Sequence, residues 1–218
     1  MKRLCSLAAV FAFLIVNAAI PASAAQVPGH SSAFGGSAVD WQQQYLGWLF
    51  GSETNPLMQS NFCGETVGNA FFLNAAINPV TEATCTIPTG TRLVGSPGGS
   101  IAWSPTDATT DPGLLAARDE FITHITDGAA TLDGQPLEVQ SGFATSGVYT
   151  IPLAPDSFVK TVDPNTAGLT ETRVASAAWI IRIHPLPPGT HTLVLSDKID
   201  GVSYTATFHL TVQPGRSN

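Results

Sequence analysis

Two runs near the carboxyl end alternate in step on either side of Asp200-Gly201, a dipeptide that favours a tight hairpin turn. In the first, His191, Leu193 and Leu195 alternate with Thr190, Thr192 and Val194. In the second, Tyr204, Ala206, Phe208, Leu210 and Val212 alternate with Thr205, Thr207, His209 and Thr211. Successive strand side chains point to opposite faces, so this period predicts a hairpin with one face on a core and one face wet. Ala178–His184 repeats the pattern, with Trp179, Ile181 and Ile183 on one side.

Shorter apolar runs punctuated by turn residues read as further strands: 67–73, 84–88, 92–95, 101–104, 130–132, 137–142 and 148–153. Asp133-Gly134 marks another turn. Around ten short strands at this spacing predict a mainly β fold, an antiparallel β-sandwich of jelly-roll or immunoglobulin-like type. Two helices interrupt it. Over 38–50, Trp41, Tyr45, Trp48 and Leu49 fall on one stripe, and Gly51 follows as a cap. The second starts at Asp111-Pro112, ends at Asp127-Gly128, and lines up Leu114, Leu115, Phe121, Ile122 and Ile125. No period is visible from Ala154 to Ser176, where Pro155, Pro164 and Gly168 intervene; a long loop there would form the rim of a site.

The amino end predicts the compartment. Lys2 and Arg3 precede an apolar run from Leu4 to Ile20, Pro21 breaks it, and Ala22-Ser23-Ala24 forms a small-x-small cleavage site. Residues 1–24 therefore read as a secretory signal peptide, 25–37 as a flexible leader and 38–218 as a single domain. The run is shorter than the ~20 residues a membrane span needs, so no span is expected after cleavage. The destination is extracytoplasmic: the medium, a periplasm or a cell wall. Loss of Lys2 and Arg3 takes the formal net charge from −7 to −9. A chain this acidic, with no basic cluster, is unsuited to nucleic acid or anionic lipid. The mature segment keeps two cysteines, Cys63 and Cys85, and in an oxidising compartment an even pair reads as a disulfide.

Several landmarks fall at spacings that resemble an uncharacterised family of secreted bacterial proteins. They are Trp41, Trp48-Leu49, Gly51, Asn55-Pro56, Cys63-Gly64, Phe71-Phe72-Leu73 and Cys85 with Pro88 and Gly90. Thr131-Leu132-Asp133-Gly134, then Trp179, Pro185-Leu186-Pro187-Pro188-Gly189 and His191-Thr192 complete the set. The resemblance implies a signal peptide, a tryptophan-rich helix, a cysteine pair and a terminal strand pair. It implies no catalytic residue. Arg92-Leu93-Val94 departs from the aromatic-rich strand that such proteins carry after the second cysteine.

The sequence carries no HExxH, GxSxG, Walker, GxGxxG or EF-hand signature. The local constellation with most chemistry is Glu120, His124 and Asp127, in which a carboxylate one helical turn away could orient an imidazole as a general base. The alternative is that all three are solvated polar residues flanking a buried stripe. Arg118 falls within that stripe, as a fork for a ligand carboxylate or as a structural pair. His184, His191 and His209 lie on strands, but the parity of His191 and His209 sends them to opposite faces, so no metal site is expected. Asp197 and Asp200 could bind calcium, although such residues are ordinarily turn formers. Trp41, Trp48 and Trp103 could hold sugar rings, or dock the first helix.

The expected function is a secreted, non-catalytic binding module without a cofactor, its partner a polysaccharide or an envelope protein. A carbohydrate-active hydrolase or lyase, and a structural envelope protein, remain alternatives.

Overall fold

A computed structural model describes residues 35–75, 77–139 and 143–214. The expected signal peptide, the expected leader up to residue 34, and residues 140–142 of one expected strand lie outside them. Helix α1 (Ala38–Gly51) comes first, followed by β1 (Gly64–Val67), β2 (Ala70–Leu73), β3 (Val80–Pro88), β4 (Arg92–Gly95) and β5 (Gly99–Trp103). Then come α2 (Asp111–Phe121), β6 (Ile125–Leu132), β7 (Gln135–Pro136), β8 (Ala144–Thr145) and β9 (Tyr149–Pro152). Helix α3 (Phe158–Val162), β10 (Glu171–Ala178), β11 (Ile181–Ile183), β12 (Gly189–Ile199) and β13 (Val202–Gln213) complete the order.

The chain is mainly β. The predicted terminal hairpin is β12–β13, paired from Gly189↔Val212 to Ile199↔Val202. Asp200 and Gly201 both take positive φ at its turn, as do Asp133 and Gly134 between β6 and β7. This hairpin sits inside a five-stranded sheet of order β3-β13-β12-β6-β7. A second sheet runs β1-β2-β4-β11, and a third is built on β10, with β5 on one edge and β8 and β9 on the other.

The five-stranded and second sheets are mixed, which corrects the all-antiparallel expectation: β3 runs parallel to β13, and β2 parallel to β4. Alternation within a strand fixes which side chains share a face; it does not fix which strand lies alongside.

Alternation explains the layers. Leu73, Leu93, Ile181 and Ile183 of the second sheet form one buried cluster with Cys85, Ile87, Leu193, Leu195, Phe208 and Leu210 of the five-stranded sheet. The intervening Phe72 and Val94 point the other way, into a second cluster with Trp41, Tyr45, Leu46, Trp48 and Leu49 of α1. Helix α1 thus covers the back of the second sheet. It starts at a capping box in which Ser37 Oγ accepts from the Asp40 backbone N–H at 3.1 Å and Asp40 accepts from the Ser37 backbone N–H at 2.7 Å. The expected disulfide joins Cys63, just before β1, to Cys85 in β3, with Cα atoms 5.7 Å apart.

Two further expectations are corrected. Helix α2 stops at Phe121, and one turn of 3₁₀ helix (Ile122–His124) leads into β6, so Ile125, Asp127 and Gly128 belong to a strand. Pairing with β12, from Leu193↔Leu132 to Ile199↔Ile125, takes over from the helical period. The aperiodic stretch from Ala154 to Ser176 is not a long loop. It holds α3, a 3₁₀ turn at Pro164–Thr166 and most of β10.

Candidate functional site

The candidate constellation of Glu120, His124 and Asp127 is not brought together. His124 is exposed, and its Nδ1 lies 2.6 Å from Asp200 Oδ1 at the hairpin turn. Asp127 pairs instead with Lys198 at 2.8 Å, in a left-handed conformation on β6. Glu120 is exposed, and its backbone carbonyl accepts from Thr123 Oγ1 at 2.7 Å. The end of α2 at Phe121 removes the helical turn that would have set Glu120 beside His124. Arg118 takes the structural alternative, donating to the Ser146 carbonyl and to Asp119.

The tryptophans are docking residues. Trp41 and Trp48 are 3% and 7% exposed, so neither offers a free face to a sugar. Trp41 Nε1 donates to the Gly35 carbonyl at 2.7 Å and Trp48 Nε1 to Glu65, while both rings meet Phe72 edge-on. Trp103 is half-buried and donates from Nε1 to Asp163 Oδ2 at 2.7 Å, while its backbone N–H donates to Asp107 Oδ2 at 2.8 Å. Burial raises Asp107, partly offset by that N–H, and the neighbouring Asp163 raises it further. Burial also pushes Asp163 up, but hydrogen bonds from Thr106, Trp103 and Asn165 outweigh it and leave its carboxyl below the usual range. Both carboxylates pin the loop after β5.

The strand histidines do not converge either. His191 lies between Asp133 (2.8 Å) and the Pro187 carbonyl (3.0 Å), and His209 pairs with Glu82 at 2.5 Å. Among the described residues no three metal-ligating side chains cluster. A buried seam joins Gln42, Ser146, Tyr149 and Ser176, where Gln42 Nε2 donates to Ser176 Oγ at 2.7 Å and the Tyr149 hydroxyl lies 2.7 Å from the same atom. Burial first, offset by that hydrogen bond, pushes Tyr149 up to about 12. The hydrogen bonds of this seam include no imidazole or carboxylate that would activate a serine.

The site with unassigned chemistry is a cavity of about 290 Å³ where α1 meets the end of the β12–β13 hairpin. Helix α1 contributes Tyr45, Leu46, Leu49 and Phe50, and Leu57 comes from the 3₁₀ turn that follows. Ala75 and Ile77 after β2, and the Ser96–Gly99 turn between β4 and β5, form a second wall. Phe158 of α3, within the stretch read as a site rim, closes it on one side. The hairpin adds Ile199, Tyr204 and Asp197.

Asp197 is the anomaly. It is 6% exposed, and its carboxylate has no hydrogen-bond or ion-pair partner among the described residues. Burial pushes its carboxyl up to about 6. The carboxylate packs so closely on Gly98 that a Cβ there would collide with it. Gly98 is held in turn, its carbonyl accepting from Ser96 Oγ at 2.9 Å and from the Trp179 backbone N–H at 3.0 Å. Asp197 and Asp200 therefore do not form a calcium pair: one faces inward and the other holds His124 at the surface. The signal for Asp197 was present in the sequence, because it shares the parity of Leu193 and Leu195.

No protein-family model and no curated protein matches the sequence. Three solved structures align distantly. PbICP-C, solved in complex with falcipain-2, is 12% identical and covers 67% of this chain and 100% of its own, at a TM-score of 0.26. Amebosin, a solution structure, is 13% identical with coverages of 62% and 96% and a TM-score of 0.21. The cysteine protease inhibitor EhICP2 from Entamoeba histolytica is 14% identical, with coverages of 62% and 94% and a TM-score of 0.22. At these TM-scores the likeness carries no argument about fold or activity.

Proposed function

We propose that the chain is a secreted, non-catalytic binding module built as a β-sandwich, and that its ligand enters the cavity between α1 and the β12–β13 hairpin. The observation that carries this reading is the buried, unpartnered carboxylate of Asp197 facing a mostly apolar cavity. Ligand sites are typically concave, mostly apolar and equipped with a few placed polar groups. The Cys63–Cys85 bridge supports an oxidising, extracytoplasmic location. Face-to-face packing of the five-stranded and second sheets supports the sandwich.

Polysaccharide or cell envelope is proposed as the source of the ligand. The exported protein, disulfide intact, is incubated with insoluble polysaccharides and purified cell wall, and the supernatant is assayed for protein and for released sugar. Depletion of protein without sugar release, weakened in an Ala75→Trp variant that plugs the cavity, is the expected result. Released sugar would contradict the non-catalytic reading and favour a hydrolase or lyase. Absence of depletion would remove carbohydrate and cell wall as ligand sources.

A further inference from the structure

The cavity has a chemistry that narrows its ligand. Its lining includes one carboxylate, Asp197, and no Lys, Arg or His. The other charges of the hairpin's end are engaged elsewhere: Lys198, on the opposite face of β12, pairs with Asp127, and Asp200 meets His124. The remaining titratable side chains that face the cavity are the phenols Tyr45 and Tyr204, and α3 adds none. A buried carboxylate without a partner is costly, and an apolar residue at that strand position would extend the Leu193–Leu195 face of the core. Stability therefore gives no reason for an aspartate there. A partner that arrives from solution does.

We propose that the Asp197 cavity receives a small organic cation, an ammonium group carried on an apolar body. The inference rests on the binding-module reading above and adds the ligand's charge and size. The ammonium would meet the Asp197 carboxylate, and the apolar body would lie against Leu46, Leu49 and Leu57. Phe50, Phe158 and Tyr204 offer aromatic surface, which favours cations further. A volume of about 290 Å³ lies at the lower end of ligand cavities, which suits a small molecule. A hard metal ion fits poorly, because calcium takes six or more oxygen ligands and this lining is mostly apolar.

The test is calorimetry on the exported, disulfide-intact protein with two probes of equal length, n-hexylammonium and n-hexanol. It is run at about pH 7.5 and about pH 4.5; burial pushes the Tyr45 phenol up, further from that range. The wild type at the higher pH should bind hexylammonium about ten-fold or more tightly than hexanol, as a charge-assisted contact requires. That preference should vanish in Asp197→Asn, and in the wild type at the lower pH, where Asp197 carries its proton. The pH arm uses the unaltered chain, so the result does not depend on the variant folding. Equal binding of both probes to wild type and variant would overturn the cation inference while leaving the binding cavity in place. Binding of neither probe would overturn the cation inference, and depletion by polysaccharide or cell wall would then decide the binding-module reading by itself. A rise in melting temperature with calcium that depends on Asp197 would overturn the organic cation in favour of a metal.

Discussion

Asp197 lies on the core-facing side of β12, two residues beyond Leu195, where its neighbours are the apolar walls of the cavity and the backbone of Gly98. Burial holds its carboxyl at about 6, against an ordinary aspartate value near 4. Between those two values the folded protein keeps a proton that the unfolded chain has released. The contribution of this residue to stability therefore falls as pH rises through the window from about 4 to 6, by up to about 3 kcal/mol. Asp197→Asn removes the titration and keeps the shape. Urea melts of both proteins should show the variant gaining about 1–3 kcal/mol over the wild type on going from about pH 4 to about pH 7 without ligand. A difference that stays flat across that range would mean the carboxylate finds a partner in solution. Asp40 and Asp163, whose pKa values are lowered, contribute in the opposite sense below about pH 4 and are common to both proteins.

At the scale of elements, the Cys63–Cys85 bridge ties the strand pair β1–β2 to the edge strand β3 of the five-stranded sheet. Closing a loop with a sequence separation of 22 removes entropy from the unfolded chain worth about 3 kcal/mol. The Cys63→Ser, Cys85→Ser double variant should lose about that much in chemical denaturation; an unchanged midpoint would show the bridge to be dispensable. The elements that were legible in the sequence are those whose signal is local. The stripe of Trp41, Tyr45 and Trp48 gave α1, and Asp111-Pro112 gave the start of α2. Asp133-Gly134 and Asp200-Gly201 gave two turns, and the alternation from Tyr204 to Val212 gave β13. What was not legible depends on distant pairing. Nothing in Val80–Pro88 announces that it runs parallel to β13, and nothing in residues 125–128 outweighs their continuity with a helical pattern until β12 is alongside. The cavity is of this second kind, because its walls come from several segments between Tyr45 and Tyr204. Only the inward parity of Asp197 was readable in advance. Of the two readings of Trp41 and Trp48, sugar platform or helix docking, the second holds for the same reason that α1 was easy to find: a bulky stripe at helical spacing is what docks a helix.

Across the whole molecule, the second sheet is buried on both faces, by the five-stranded sheet on one and by α1 on the other. The cavity lies beside this double packing, where α1, α3 and the hairpin end meet around Asp197. Among the described residues no helix is long and apolar enough to cross a membrane. The acidic balance of the chain, with 16 Asp and Glu against 9 Lys and Arg, draws cations towards the protein and repels phosphates and anionic lipid. A cation-binding cavity agrees with that field. The most direct test is a crystal structure of the disulfide-intact protein grown with n-hexylammonium near neutral pH. The account predicts the ammonium nitrogen about 2.7–2.9 Å from an Asp197 carboxylate oxygen, with the alkyl chain against Leu46 and Leu49. A cavity closed by its own side chains, or an ammonium bound elsewhere with Asp197 left alone, would contradict it.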